Sequence, residues 1–247
     1  VVFTDADVAA LYDQLNPWDP TRYPSDAFFN RLVMDAQAVL DVGCGTGQML
    51  HRARDLGHRG RLVGLEPDLA ALDRARRRTD IEWVAGVAAD ACWDREFDLA
   101  TMASNVFQCL ISDADLAASL AAVRRALRDG GRFAFDTRNP RAREWEQWEP
   151  SNASEVVDGN GRTLRVSHHV ESVIGDVVTL TETTTAQDGT VLRVDRASLR
   201  FLDAPQVGAL LRDAGFEIEA QYGGPNQQPV TDESRSFLTV ARTRTAH

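Results

Sequence analysis

Apolar positions along this chain keep three different rhythms in turn. Residues 5–36 show helical spacing, broken by the turn cluster Asn16–Pro17–Trp18–Asp19–Pro20. The pattern predicts a first helix through Leu11 and Tyr12, capped by Asp5 or Asp7. A second runs through Phe28, Phe29 and Leu32, capped by Ser25. From Val39 the pattern alternates strand and helix. A short β-branched run ends in the glycine-dense stretch Gly43–Gly47, and helical spacing follows at Met49, Leu50, Ala53 and Leu56. Strands are then predicted over Arg61–Glu66, Ile81–Val84, Phe97–Ala103 and Arg132–Asp136. Helices are predicted over Asp68–Thr79, with Leu69, Leu72 and Ala75 inward, and over Asp113–Arg128, stopped by Asp129–Gly130–Gly131. Strands alternating with helices imply a parallel sheet covered on both faces.

The third rhythm has period two. Thr163–Val173, Val177–Ala186 and Thr190–Phe201 alternate and are separated by Ile174–Gly175–Asp176 and Gln187–Asp188–Gly189, which predicts an antiparallel meander. The α/β pattern resumes with a helix over Ala204–Ala214 and strands over Phe216–Tyr222 and Ser236–Arg242. The expected organisation is a single domain over 1–247, with an N-terminal helical cap over 1–36 and an insertion over about 140–203.

Composition narrows the partners. The 247 residues are 43% hydrophobic, ordinary for a globular chain with a sizeable core, and the net charge is −10. That charge repels a phosphate backbone, so no nucleic-acid partner is expected. No apolar run approaches the roughly 20 residues needed to span a bilayer, so no membrane partner is expected either. Cys44, Cys92 and Cys109 show no paired spacing, which fits reduced thiols in a cytoplasmic protein and offers no metal site.

The chemistry centres on Gly43–Cys44–Gly45–Thr46–Gly47. Glycines there allow backbone angles that a Cβ resists and let a ligand approach the main chain. The following helix turns its unpaired N–H groups toward whatever lies above the loop. Gln48 stands where a dinucleotide fingerprint needs its third glycine. Glu66 ends the second strand about 20 residues on, where an acid can accept both hydroxyls of a ribose.

VLDVGCGTG, VGLEPD, Asp90, FDLATMASNVFQ and ALRDGGRFAFDT, in that order, resemble the class I S-adenosylmethionine-dependent methyltransferases of small molecules. The likeness runs motif by motif over residues 39–137 and by strand pattern over 204–243. It implies a Rossmann-like α/β fold with a seven-stranded, mostly parallel sheet, the last strand antiparallel, helices on both faces and the meander inserted after strand five. It implies S-adenosylmethionine as cofactor and S-adenosylhomocysteine as product. By the same likeness Asp41 orients the loop or reaches the methionine amino group, while Gly43, Cys44 and Gly45 pack against methionine and ribose. Glu66 holds the ribose hydroxyls beside Pro67, Asp90 accepts from the adenine amino group, and Ala91 donates its N–H to the ring. Ser104 and Asn105 sit where the methyl group meets its acceptor, and Tyr12 and Tyr23 close over the methionine tail.

Phe107, Gln108, Arg138 and Asn139 follow strand ends on the pocket side and are the substrate-binding candidates. His168 and His169 occupy adjacent, opposite-facing positions of the meander. His168 is the candidate general base, against a surface or packing role. The reaction implied is in-line displacement onto an O, N or C atom of a small molecule, in which the protein mainly supplies approach and orientation. Strand four lacks the Asn/Asp–Pro–Pro–Tyr/Phe sequence of nucleic-acid amino-methyltransferases, and no carboxylate cluster follows it to hold magnesium. The insertion is similar in placement to that of deoxysugar amine N-methyltransferases, where it shapes the substrate site or a dimer contact, and a homodimer stays open alongside a monomer. The alternatives are an NAD(P)-type oxidoreductase and a non-catalytic S-adenosylmethionine-binding relative.

Overall fold

The computed structural model describes residues 3–244; residues 1, 2 and 245–247, which fall within the expected span of the domain and its cap, lie outside the described residues. Helix α1 (Asp5–Leu15) is capped by Thr4, whose hydroxyl and backbone exchange hydrogen bonds with Asp7. Helix α2 (Pro24–Asp35) begins with a proline in its first turn and has no side-chain cap, so Ser25 lies inside the helix. Phe28, Phe29 and Val33 are buried against the sheet.

Strand β1 (Ala38–Val42) is buried along its whole length. Helix α3 (Gln48–Asp55), β2 (Arg61–Glu66), α4 (Leu69–Ala75), β3 (Glu82–Ala85) and β4 (Phe97–Met102) follow. Leu69 is 61% exposed, against its expected inward position, because it opens the first turn of α4 just after the Asp68 cap. Helix α5 (Asp113–Ala126) buries Leu116, Leu120 and Val123 and is capped by Ser112. Strand β5 spans Leu127–Arg138. Asp129–Gly130–Gly131 therefore lies within the strand, not between helix and strand. The pairing jumps from Phe97↔Leu127 to Leu99↔Arg132, so these residues form a bulge that the positive φ of Gly130 permits.

A short strand β6 (Ser154–Val157), unexpected from the sequence, precedes β7 (Thr163–Ile174), β8 (Val177–Ala186) and β9 (Val191–Arg200). These four form an antiparallel sheet in chain order. Helix α6 (Ala204–Asp213) and strands β10 (Phe216–Tyr222) and β11 (Ser236–Thr243) complete the chain. The main sheet has seven strands in the order β10-β11-β5-β4-β1-β2-β3, with only β11 antiparallel to its neighbours. Its order reverses beside β1, and ligands of open α/β sheets bind above the strand ends at such a point.

Candidate active site

The loop after β1 is built for close approach. Gly43, Gly45 and Gly47 all have φ between 55° and 81°, and the Gly43 and Cys44 N–H groups donate to the Leu65 carbonyl at 2.8 and 3.1 Å. A Cβ on Gly43 would stand 2.5 Å from Val106, and one on Gly47 2.4 Å from the Trp83 ring. Those two glycines are thus demanded by packing. A Cβ on Gly45 would meet nothing within 4 Å, because that face opens into a cleft of about 440 Å³. Glu66 closes the cleft from β2. Its carboxylate accepts the N–H of Gly45 at 2.8 Å and that of Asp68 at 3.0 Å, and burial pushes its pKa up. Pro67, Val87, Ala88 and Tyr12 add further walls.

Asp41 lies beneath the loop, buried, and accepts the Thr101 hydroxyl at 2.8 Å. Burial first, then the charge of Glu66, pushes its pKa to about 7. Asp41, Cys44 and Ser104 line a narrow recess of about 70 Å³ that continues the cleft past the glycine loop.

A second, larger cavity of about 680 Å³ lies between α1, α2, the ends of β4 and β5, and the meander. Tyr12, 46% exposed, and Cys109 line both it and the cleft, so the two spaces meet there. Ser104 lines both this cavity and the narrow recess, and Asn105 beside it lines the cavity, with φ of 58° and 62°. Two successive left-handed residues without glycine are strained, and Asp136 holds the turn by accepting the Asn105 N–H at 3.0 Å. Asp136 is 9% exposed, and burial pushes its pKa to about 6. His168 lines the same cavity and bonds Glu182 through Nε2 at 2.9 Å. Arg138 lines it too, bonded to Glu144 at 3.1 Å and set 5.3 Å from the Trp148 ring centre.

Several expected residues lie elsewhere. Asp90 is exposed and lines a neighbouring recess with Cys92 and Trp93, because the single helical turn Ala88–Asp90 carries it past the cleft. The Ala91 N–H is spent on the Ala88 carbonyl at 3.1 Å. Tyr23 occupies the N-cap position of α2 beside Arg22 and lines neither the cleft, the recess nor the larger cavity. Phe107 is core, stacked on Phe135 with ring centres 4.3 Å apart. Gln108 is fully buried and accepts from the Arg138 backbone and guanidinium at 3.3 and 3.0 Å. Asn139, also buried, donates to the Ser234 carbonyl at 2.6 Å. Of the four substrate candidates, Arg138 alone reaches the cavity, and Gln108 braces it.

Asp26, Asp136 and Glu182 went unnoticed in the sequence. Asp136 lies two residues before the end of β5, and an acid so near the end of a sheet strand was a signal available beforehand. Asp13, next to Tyr12, has a structural part. It accepts from the Thr46 hydroxyl, from Gln48 Nε2 at 3.0 Å and from Arg74 at 2.7 and 2.9 Å, tying α1 to the glycine loop and α4.

Residues 39–131 match the family described as Methyltransferase domain. The cypemycin N-terminal methyltransferase of a Streptomyces species is 26% identical over 84% of this chain and 83% of its own. A methyltransferase structure from Clostridium acetobutylicum superimposes with a TM-score of 0.74 at 17% identity, covering 96% of this chain and 98% of the other. The S-adenosylmethionine-bound amino pentose methyltransferase CalS10 from Micromonospora echinaspora does so with a TM-score of 0.68 at 23% identity, covering 99% of both. These two likenesses concern the fold.

Proposed function

The chain is a class I S-adenosylmethionine-dependent methyltransferase, and from that premise we propose that it methylates a nitrogen atom of a small molecule and releases S-adenosylhomocysteine. The observation that carries nitrogen over oxygen or carbon is the lining of the larger cavity. Asp26, Asp136 and Glu182 surround a space entered from the cleft, an environment that favours a protonated amine. The likeness to a cypemycin N-terminal methyltransferase and to the amino pentose methyltransferase CalS10 supports the same reading.

The cleft suits the cofactor. Each Glu66 oxygen takes one backbone N–H, which leaves lone pairs for two ribose hydroxyls. Gly45 leaves room beside them. Asp41 offers a carboxylate to the methionine ammonium, and Gly43, Cys44, Pro67 and Ser104 wall the cofactor in, with Tyr12 above. Bound there, S-adenosylmethionine supplies a sulfonium methyl already activated for displacement. The protein's share is to orient the acceptor and to take its proton. Asn105, in its pinned turn, positions the acceptor where cleft and cavity meet, and Arg138 contacts its far side. His168, held by Glu182, accepts the proton shed by the amine, which frees the nitrogen lone pair for attack. The helical cap and the meander enclose the acceptor, so residues 1–247 act as one domain.

Methyl-labelled S-adenosylmethionine offered with matched small amines and alcohols tests the proposal. Label on amines, with one S-adenosylhomocysteine per methyl, is expected. Label on alcohols alone overturns the nitrogen assignment.

A further inference from the structure

The larger cavity has both apolar and acidic lining. Leu11 and Leu15 of α1, Phe29 of α2, Val166 of β7, Leu180 of β8 and Leu199 of β9 give it an apolar wall. Asp26 and Asp136 line it as well, and the charge of Arg138 and, less strongly, that of Asp26 act on Asp136. Asp136 is nine-tenths buried. One of its oxygens takes the Asn105 N–H, and the other has no hydrogen-bond partner among the described residues. A buried carboxylate with a free oxygen beside a cavity is costly unless a donor or cation meets it there.

Anion recognition is poorly served by contrast. Arg138 is the sole guanidinium lining the cavity among the described residues, and Glu144, Gln108 and the Trp148 ring already engage it. A phosphate group calls for several converging donors or cations, and here it would meet three carboxylates. Resting on the nitrogen reading above, we infer that the acceptor is a cationic amine on a compact apolar body, its nitrogen beside Asp136 and Asp26 and its body against the leucine wall. A phosphorylated or nucleotide-linked sugar does not suit this cavity, although a structural relative methylates an amino pentose.

Titration calorimetry on the full chain saturated with S-adenosylhomocysteine tests the inference with four probes: 2-phenylethylamine, 2-phenylethanol, glucosamine and uridine diphosphate. Phenylethylamine is expected to bind at least tenfold more tightly than each of the others. Asp136→Asn keeps an oxygen for the Asn105 N–H while removing the charge. It should lower phenylethylamine affinity at least tenfold and leave S-adenosylhomocysteine affinity unchanged. Asp26→Asn provides the same comparison should the first variant fail to fold. Glucosamine or uridine diphosphate binding as tightly as phenylethylamine overturns the inference, as does an unchanged affinity in the folded variant. Absent phenylethylamine binding with intact S-adenosylhomocysteine binding also overturns it and leaves the methyltransferase assignment standing. Failure of S-adenosylhomocysteine itself to bind removes both readings of the site.

Discussion

Glu66 ends β2 and Phe107 lies in the short helical turn that follows β4, and they play opposite parts. Glu66 presents its carboxylate to the cleft while two backbone N–H groups hold it. On the proposed reading, removing it takes acceptors from the ribose, and it leaves the Gly45 N–H unpaired. Glu66→Ala is therefore expected to weaken S-adenosylmethionine binding by about 1–3 kcal/mol, measured by calorimetry. Unchanged affinity would place the ribose elsewhere. Phe107 instead turns inward onto Phe135, within the cluster that holds Phe133 and Leu116. Phe107→Ala should cost about 3–5 kcal/mol of stability in denaturant unfolding, with cofactor affinity retained at temperatures where the variant is folded. A loss of cofactor affinity without loss of stability would return Phe107 to the binding surface.

At the scale of elements, α1 is fastened to the cofactor cleft through one carboxylate. Asp13 accepts from Thr46, Gln48 and Arg74, and Gln48 in turn accepts the Trp18 N–H at 3.0 Å. Gln48 thus does more than depart from a dinucleotide fingerprint, since it anchors the segment that carries Tyr12 over the cleft. Asp13→Ala should speed S-adenosylmethionine release and raise amide exchange across α1, with roughly 1–3 kcal/mol lost from the half-buried, charge-assisted bonds. Exchange in α1 that matches the parent protein would show that other contacts hold the helix. The ends of β2, β8 and β10 were legible because turn-forming residues bracket them: Gly60 and Pro67, Asp176 and Asp188, Gly215 and Gly223. The start of β5 was not, because Gly130–Gly131 signals a helix stop and a bulge equally well. Four-residue β6 is too short for a period to show. Period two told that His168 and His169 face opposite ways. Only the packing of the meander over the cavity decides that His168 turns inward. Asp90 and Ala91 illustrate the same limit, since the one-turn helix after β3 sets both in a recess that shares Leu65, Gly86 and Val87 with the cleft.

For the molecule as a whole, the acids gathered around the two spaces make stability and cofactor binding respond to pH in opposite directions. Burial raises Asp41 to about 7 and Asp136 to about 6, and it also raises Glu66 and Asp26. An acid whose folded pKa lies above its unfolded value near 4 contributes most favourably below that unfolded value. The contribution is lost as pH rises through the folded value. Exposed, paired acids such as Asp80 and Glu171 shift the other way, so the parent melting curve mixes both signs. A substitution isolates the buried term. Asp41→Asn keeps an oxygen for the Thr101 hydroxyl and removes the ionisable proton, so its melting temperature relative to the parent should rise between pH 5 and pH 8. The cofactor reverses the balance, because its ammonium and sulfonium charges favour ionised acids around the cleft. Stabilisation of the parent protein by S-adenosylmethionine should therefore be larger at pH 8 than at pH 5, and Asp41→Asn should shrink that difference. Equal stabilisation at both pH values, in parent and variant alike, would show that the cofactor's cationic groups do not lie against Asp41.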